Sequence, residues 1–268
     1  MKTIFRWPAA LLLPTLILLT ADANAGRTCE DKAPTKESVE RGLNLAAQTM
    51  KSLDESGNRV VILARAGQDL SKYGLRYSHL GFAYQQPDGR GGHVWRVLHK
   101  LNQCGSSESG IYRQGLGEFF LDDLWRNEGA YVVPARDVQE RLLTLIQDDR
   151  QALRMHHKPY STVSYVWGQK YQQSNQWAIE TLAVAMTPTI RTREQAQAWL
   201  KFKDYRPSTI TLGPLTRLGG RMTSANIAFD DHPSEKRYSD RIETVTVDSV
   251  FSWLKRSELG ATPVVLSM

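Results

Sequence analysis

Cysteine is nearly absent from this 268-residue chain, occurring only as Cys29 and Cys104. Two isolated thiols supply neither a zinc-ribbon framework nor a Cys-x-x-Cys redox motif. Long apolar runs are missing after the first 25 residues, so no later segment is a candidate membrane-spanning helix. Runs of five or more Lys/Arg are missing too. The formal charge of +6 is therefore spread thinly, and the electrostatic footprint of a nucleic-acid binder is lacking. There is no Gly-x-Ser-x-Gly elbow, Walker loop, dinucleotide fingerprint or His-Glu-x-x-His motif, which removes the signatures of several hydrolase and nucleotide-binding classes. Internal repeats and low-complexity tracts are absent as well.

What is present begins with an export signal. Lys2 and Arg6 form a positive start, Ala9 to Leu19 is apolar, and Ala23-Asn-Ala25 supplies a small-x-small cleavage pattern. Residues 1–25 read as a signal peptide, which makes the mature chain periplasmic or secreted. Cleavage removes Lys2, Arg6 and Asp22 and leaves 32 basic and 27 acidic residues, a net charge of +5. That charge favours anionic envelope surfaces. In an oxidising compartment Cys29 and Cys104 read most simply as a disulfide, whose loop closure contributes roughly 4 kcal/mol. The rival reading makes Cys104 a nucleophile beside a histidine.

Hydropathy patterning places a helix over 37–55, a buried strand over 59–64, and two strands over 75–85 and 93–101 joined by the turn Gln86-Pro-Asp-Gly-Arg-Gly-Gly92. A short helix over 117–125, a strand over 131–134 and a helix over 137–155 follow. After a loop rich in Tyr, Ser and Gly, Ser174 opens a helix that Pro188 stops. A helix over 192–203, a strand over 242–247 and a closing helix over 249–255 complete the chain. Intermixed helices and strands with an antiparallel sheet make this an α+β fold. One domain over 26–268 is expected, with 190–268 either part of it or a C-terminal extension.

The two central strands each carry an interior histidine, His79 in Tyr77-Ser-His-Leu-Gly-Phe82 and His99 in Val97-Leu-His99. Half-buried strands normally fill such positions with Val, Ile or Phe. A neighbouring pair of imidazoles can act as a base and its orienter in acyl transfer. Tyr77-Ser-His-Leu-Gly-Phe82 resembles the Ser-His-Val-Gly-Ile strand of the NlpC-type papain-like hydrolases, which include a circularly permuted branch and the lecithin-retinol-acyltransferase-like proteins. Val97-Leu-His99 is similar to that superfamily's second polar strand. Tyr171-Gln-Gln-Ser174-Asn-Gln-Trp-Ala178 stands where the permuted branch opens its nucleophile helix, with serine in place of cysteine. The chain also resembles an uncharacterised exported bacterial family, domain of unknown function 2145.

The resemblance implies a papain-like, circularly permuted antiparallel sheet packed against helices. It implies catalytic roles for Ser174 as nucleophile, His79 as base and His99 as orienter. Tyr77, Tyr171 and Trp177 become candidate substrate-binding residues, because aromatic rings suit a groove for a glycan or acyl chain. The activity implied is amide or acyl hydrolysis or transfer on a cell-envelope component, such as a peptidoglycan peptide, a lipid or an acylated protein, with no cofactor or metal. Each residue has a plainer reading: Ser174 as an N-cap, His79 and His99 as satisfied strand residues, the aromatics as core. With a serine where the branch has a cysteine, a binding module that keeps the scaffold without turnover is the alternative. His156-His157 and Asp230-Asp231-His232 are weak metal motifs, and Pro233 makes the second a turn.

Overall fold

Thr35 caps the first helix of the described residues, its hydroxyl accepting from Ser38 N at 3.1 Å. The computed structural model describes residues 34–122 and 124–268. The expected signal peptide and Cys29 lie outside the described residues. From that cap α1 runs Lys36–Glu55, followed by β1 (Val60–Arg65), β2 (His79–Pro87), β3 (His93–Asn102) and β4 (Ser109–Gly115). Next come α2 (Leu116–Leu121), β5 (Glu128–Val132), α3 (Arg136–Gln147), α4 (Asp149–Ala152), α5 (Ser174–Met186) and α6 (Arg193–Phe202). The chain ends with β6 (Ser208–Thr211), α7 (Pro214–Thr223), α8 (Ser234–Arg237), β7 (Arg241–Thr244), α9 (Val247–Arg256) and β8 (Val264–Ser267).

Six strands form one sheet in the order β4-β3-β2-β1-β5-β8, and every neighbouring pair is antiparallel. Strands β6 and β7 form a separate antiparallel pair. This is the mixed α+β architecture that the sequence predicts. Because side chains alternate between faces, β1 divides its apolar residues between two cores. Val61 and Leu63 join Leu45, Leu53, Val97 and Phe119 under α1 and α2. Ile62 and Ala64 join Leu80, Phe82, Trp177 and Trp253 under α3, α5 and α9.

Several expected boundaries move, each for a local reason. The helix over 137–155 breaks at Asp148, which adopts an extended φ/ψ of −94°/112° and accepts from Arg150 N and Gln151 N. That makes it the N-cap of α4 rather than an interior helical residue. Ser174 is not the cap of α5 either. Gln173 holds that position, and its side-chain oxygen accepts from Asn175 N at 3.1 Å. Nor is 249–255 the closing element, because β8 follows α9 and pairs with β5. Residues 190–268 are woven into the main body through β8 and through the α9 core residues Val250, Phe251 and Trp253.

Behind the sheet, α5 is tied down by a buried polar hub. Glu180 accepts from Arg193 Nε at 2.8 Å, Gln197 Nε2 at 2.8 Å and Gln172 Nε2 at 2.5 Å. Gln172 Oε1 in turn accepts from Lys100 Nζ at 2.6 Å. The side chain of Glu180 is 0% exposed and that of Arg193 is 9% exposed, so neither charge is hydrated. Removing one partner from such a pair strands the other, at a cost of about 3–5 kcal/mol. Glu180→Ala is therefore expected to lower the urea unfolding free energy by about that amount. A loss under about 1 kcal/mol would show the hub to be incidental.

Candidate functional site: a histidine pair at a split in the sheet

The central hairpin does not stay paired along its whole length. β2 and β3 pair from Pro87↔His93 down to Phe82↔Leu98 and then stop, although β2 continues beside β1 and β3 beside β4. The N-terminal turn of α5 enters at this split. Asn175 Oδ1 accepts from Leu80 N at 3.1 Å, and its Nδ2 donates to Ser78 O at 3.4 Å. Asn175 thus supplies the pairing that β3 no longer gives, on either side of His79. A cavity of about 1570 Å³ opens there, with Ser78, His79, Gln114, Tyr160, Ser174 and Asn175 in its wall.

His79 and His99 meet across the hairpin. His79 Nε2 lies 2.9 Å from His99 Nδ1, and His99 Nε2 lies 2.8 Å from Gln114 Oε1. The amide oxygen of Gln114 can only accept, so the atom assignments fix both tautomers. His99 donates through Nε2 and accepts at Nδ1. His79 then donates through Nε2, and its Nδ1 keeps a lone pair. Among the described residues that Nδ1 makes no hydrogen bond. Gly81 permits the arrangement, since a Cβ there would stand 2.8 Å from His99 Cβ and 2.9 Å from Val97 Cγ1.

Both imidazoles are held neutral. Burial lowers His79 well below the ordinary histidine value, with Arg65 and then His99 adding to the effect. Burial, and after it Arg65, brings His99 down to about 3, against a smaller opposing pull from Gln114. Arg65 is itself buried and donates to Phe119 O and to the Asp122 carboxylate. Its guanidinium also lies 4.8 Å from the Phe119 ring. Among the described residues no carboxylate makes a hydrogen bond to the His79–His99–Gln114 chain.

Ser174 reaches the same cavity from the other side of the sheet. Strand alternation puts His79, His99 and Gln114 on the α1/α2 face, where the Phe119 ring centroid is 6.0 Å from His79 and 5.4 Å from His99. Helix α5 packs on the opposite face, with Trp177 5.7 Å from Phe82. Only the head of α5, at the split, brings Ser174 to the wall that His79 shares. Ser174 Oγ lies 3.4 Å from Tyr160 Oη, and among the described residues no hydrogen bond joins it to His79.

The candidate substrate-binding aromatics separate. Tyr77 lines the cavity, and burial raises its phenol pKa above the ordinary value. Trp177 is 0% exposed in the core, so it does not form a groove wall. Tyr171 sits outside the cavity, with Lys170 Nζ 5.3 Å from its ring. Cys104 lies on the cavity rim. No free cysteine occurs among the described residues, which leaves no thiol nucleophile there. Asp231 accepts from His232 Nδ1 and from Tyr165 N, each at 2.8 Å, which makes that cluster a loop anchor. Sequence reasoning missed Gln114, Asn175 and Arg65. Asn175 adjoins the Ser174 motif, Gln114 carries no local signal, and Arg65 ends a strand whose other residues are all apolar.

Comparison with known proteins now adds one finding. A family model described as an uncharacterized protein conserved in bacteria (DUF2145) matches residues 52–254. The chain belongs to this family. The match spans β1 through most of α9, so the histidine hairpin, the split and Ser174 all fall within it. Comparison with curated proteins and with solved structures gives no match.

The low histidine pKa values carry a stability consequence. Below about pH 6.5 the unfolded chain takes up protons at these positions, whereas folded His99 resists them until about pH 3. Stability is therefore lost as pH falls through that window, by at most about 1.4 kcal/mol per pH unit for each histidine. His99→Gln should flatten the fall in unfolding free energy measured between pH 6.5 and 4. Parallel wild-type and variant curves would mean that His99 protonates freely in the folded protein.

Proposed function

We propose that the cavity at the split is an acyl-transfer site of the papain-like, circularly permuted kind. It hydrolyses or transfers an amide or acyl group of a cell-envelope component in the periplasm or outside the cell. The observation that carries this reading is the unoccupied lone pair of His79 Nδ1 on a wall that also holds Ser174. His79 takes the hydroxyl proton of Ser174 as its oxygen attacks the carbonyl carbon, then returns it to the leaving group. His99 orients the ring of His79 through the 2.9 Å bond, and Gln114 orients His99. Ser174 is the first residue of α5, and because Gln173 Oε1 already takes the N–H of Asn175, the backbone N–H of Ser174 itself is the donor offered to a developing oxyanion. Tyr77 is the aromatic wall residue of this reading.

A specific observation favours the second reading, a binding module without turnover. The orienting chain ends on a neutral amide, and burial together with Arg65 opposes the imidazolium that a serine mechanism must form. In that reading His79, Tyr77 and Ser174 recognise a ligand by hydrogen bonds. A fluorophosphonate probe decides between the two. On the mature protein it should label wild type, and Ser174→Ala and His79→Ala should each reduce labelling at least about 100-fold. Labelling that survives Ser174→Ala would sink the nucleophile assignment. No labelling of any form, together with retained ligand capture, would establish the binding module.

A further inference from the structure

Helix α7 forms part of the cavity rim, and its two faces differ sharply. Thr216, Gly220 and Thr223 face the cavity. Gly220 is buried, so close to Ile227 that an added Cβ would stand 3.3 Å from it. The outer face carries Leu215, Leu218 and Met222, exposed by 84%, 56% and 78%. Their spacing of three and four residues puts them in one stripe. Single exposed hydrophobes are ordinary, but a contiguous stripe of large ones marks a surface that another body covers.

The charges beside the stripe point to what that body is. Helix α7 carries no acidic residue; of its two arginines Arg221 is exposed, whereas Arg217 turns inward over the Phe229 ring and donates through Nε to Leu212 O. Arg217 Nη1 donates to Arg237 O at 2.6 Å, which ties the base of α7 to the turn holding Tyr238. Tyr238 is 82% exposed, with the Arg237 guanidinium 5.8 Å from its ring. Large aliphatic side chains flanked by arginine and an exposed tyrosine form the pattern of an interfacial helix, whose apolar face enters the acyl boundary while cations meet lipid phosphates.

We propose that α7, on the cavity rim, docks the protein on an anionic lipid surface. The substrate would then be an acyl or amide group borne by a lipid or a lipid-anchored molecule. That last step rests on the acyl-transfer reading above, whereas the docking itself does not.

Flotation of the mature protein with vesicles tests it. Wild type should float with phosphatidylglycerol/phosphatidylethanolamine vesicles, float less with pure phosphatidylcholine, and release in high salt. Combining Leu215→Ser, Leu218→Ser and Met222→Ser should lower the partition coefficient at least about tenfold. These side chains are exposed, and circular dichroism checks the fold. Arg221→Glu, a milder variant, should weaken binding to the anionic vesicles alone. Wild type remaining unbound, or the triple variant floating as well as wild type, would overturn the proposal. So would a wild-type dimer that the triple variant dissociates, since a second copy would then cover the stripe. Fluorophosphonate labelling of the same samples keeps the two readings apart. Labelling without flotation defeats only the docking, and flotation without labelling defeats only the acyl-transfer site.

Discussion

The carboxamide of Asn175 holds this structure's centre together. Where β2 and β3 part company, Leu80 N and Ser78 O lose a strand partner, and buried backbone groups without partners are costly. Asn175 satisfies both from the first turn of α5. One side chain thereby seals the strand edge, anchors the helix and opens the cavity beside it. The Glu180 hub fixes the same helix further along, so its head meets the split at a set depth.

Neutrality is the second constraint. In a serine triad a buried carboxylate stabilises the imidazolium formed on proton transfer. Here the corresponding chain runs imidazole to imidazole to amide, with a guanidinium nearby. Such a chain holds tautomers firmly and holds positive charge poorly. On the acyl-transfer reading, His79 is always in its basic form at neutral pH but is a weak base, so the reaction depends on charge supplied by the bound substrate or its oxyanion. A thiolate nucleophile would depend less on this, because its proton leaves before attack. Serine at position 174 therefore asks more of its histidine than cysteine would.

What the sequence discloses follows the range of the interactions involved. The hairpin and its two histidines are legible because strand alternation and a Gly-rich turn are local signals. The expected Cys29–Cys104 pairing has one partner, Cys29, outside the described residues. Gln114 carries no local signal: it becomes an orienter only because β4 pairs with β3 and sets it opposite Val97. Strand β8 is hidden for the same reason, since four residues near the chain end become a strand only beside β5. Trp177 misleads in the other direction. Helix α5 is buried on nearly every side, so its aromatic residue, adjacent in sequence to the candidate site, belongs to the core. Nearness in sequence cannot distinguish a wall from a core when the helix between them has no solvent face.

The register of β2 joins these points. Shifting the strand by one residue would turn His79 toward Trp177 and bring Leu80 to face Phe119, because alternate side chains take opposite faces. Gly81 opposes that slip. A residue with a side chain brought to its place would set its Cβ 2.8 Å from His99 Cβ, 2.9 Å from Val97 Cγ1 and 3.0 Å from Leu98 O. The glycine of Ser-His-Leu-Gly therefore does more than relax the backbone. It locks the pleat in which the two imidazoles share one face, and the split at Leu80 then brings the head of α5 to the cavity wall that His79 lines.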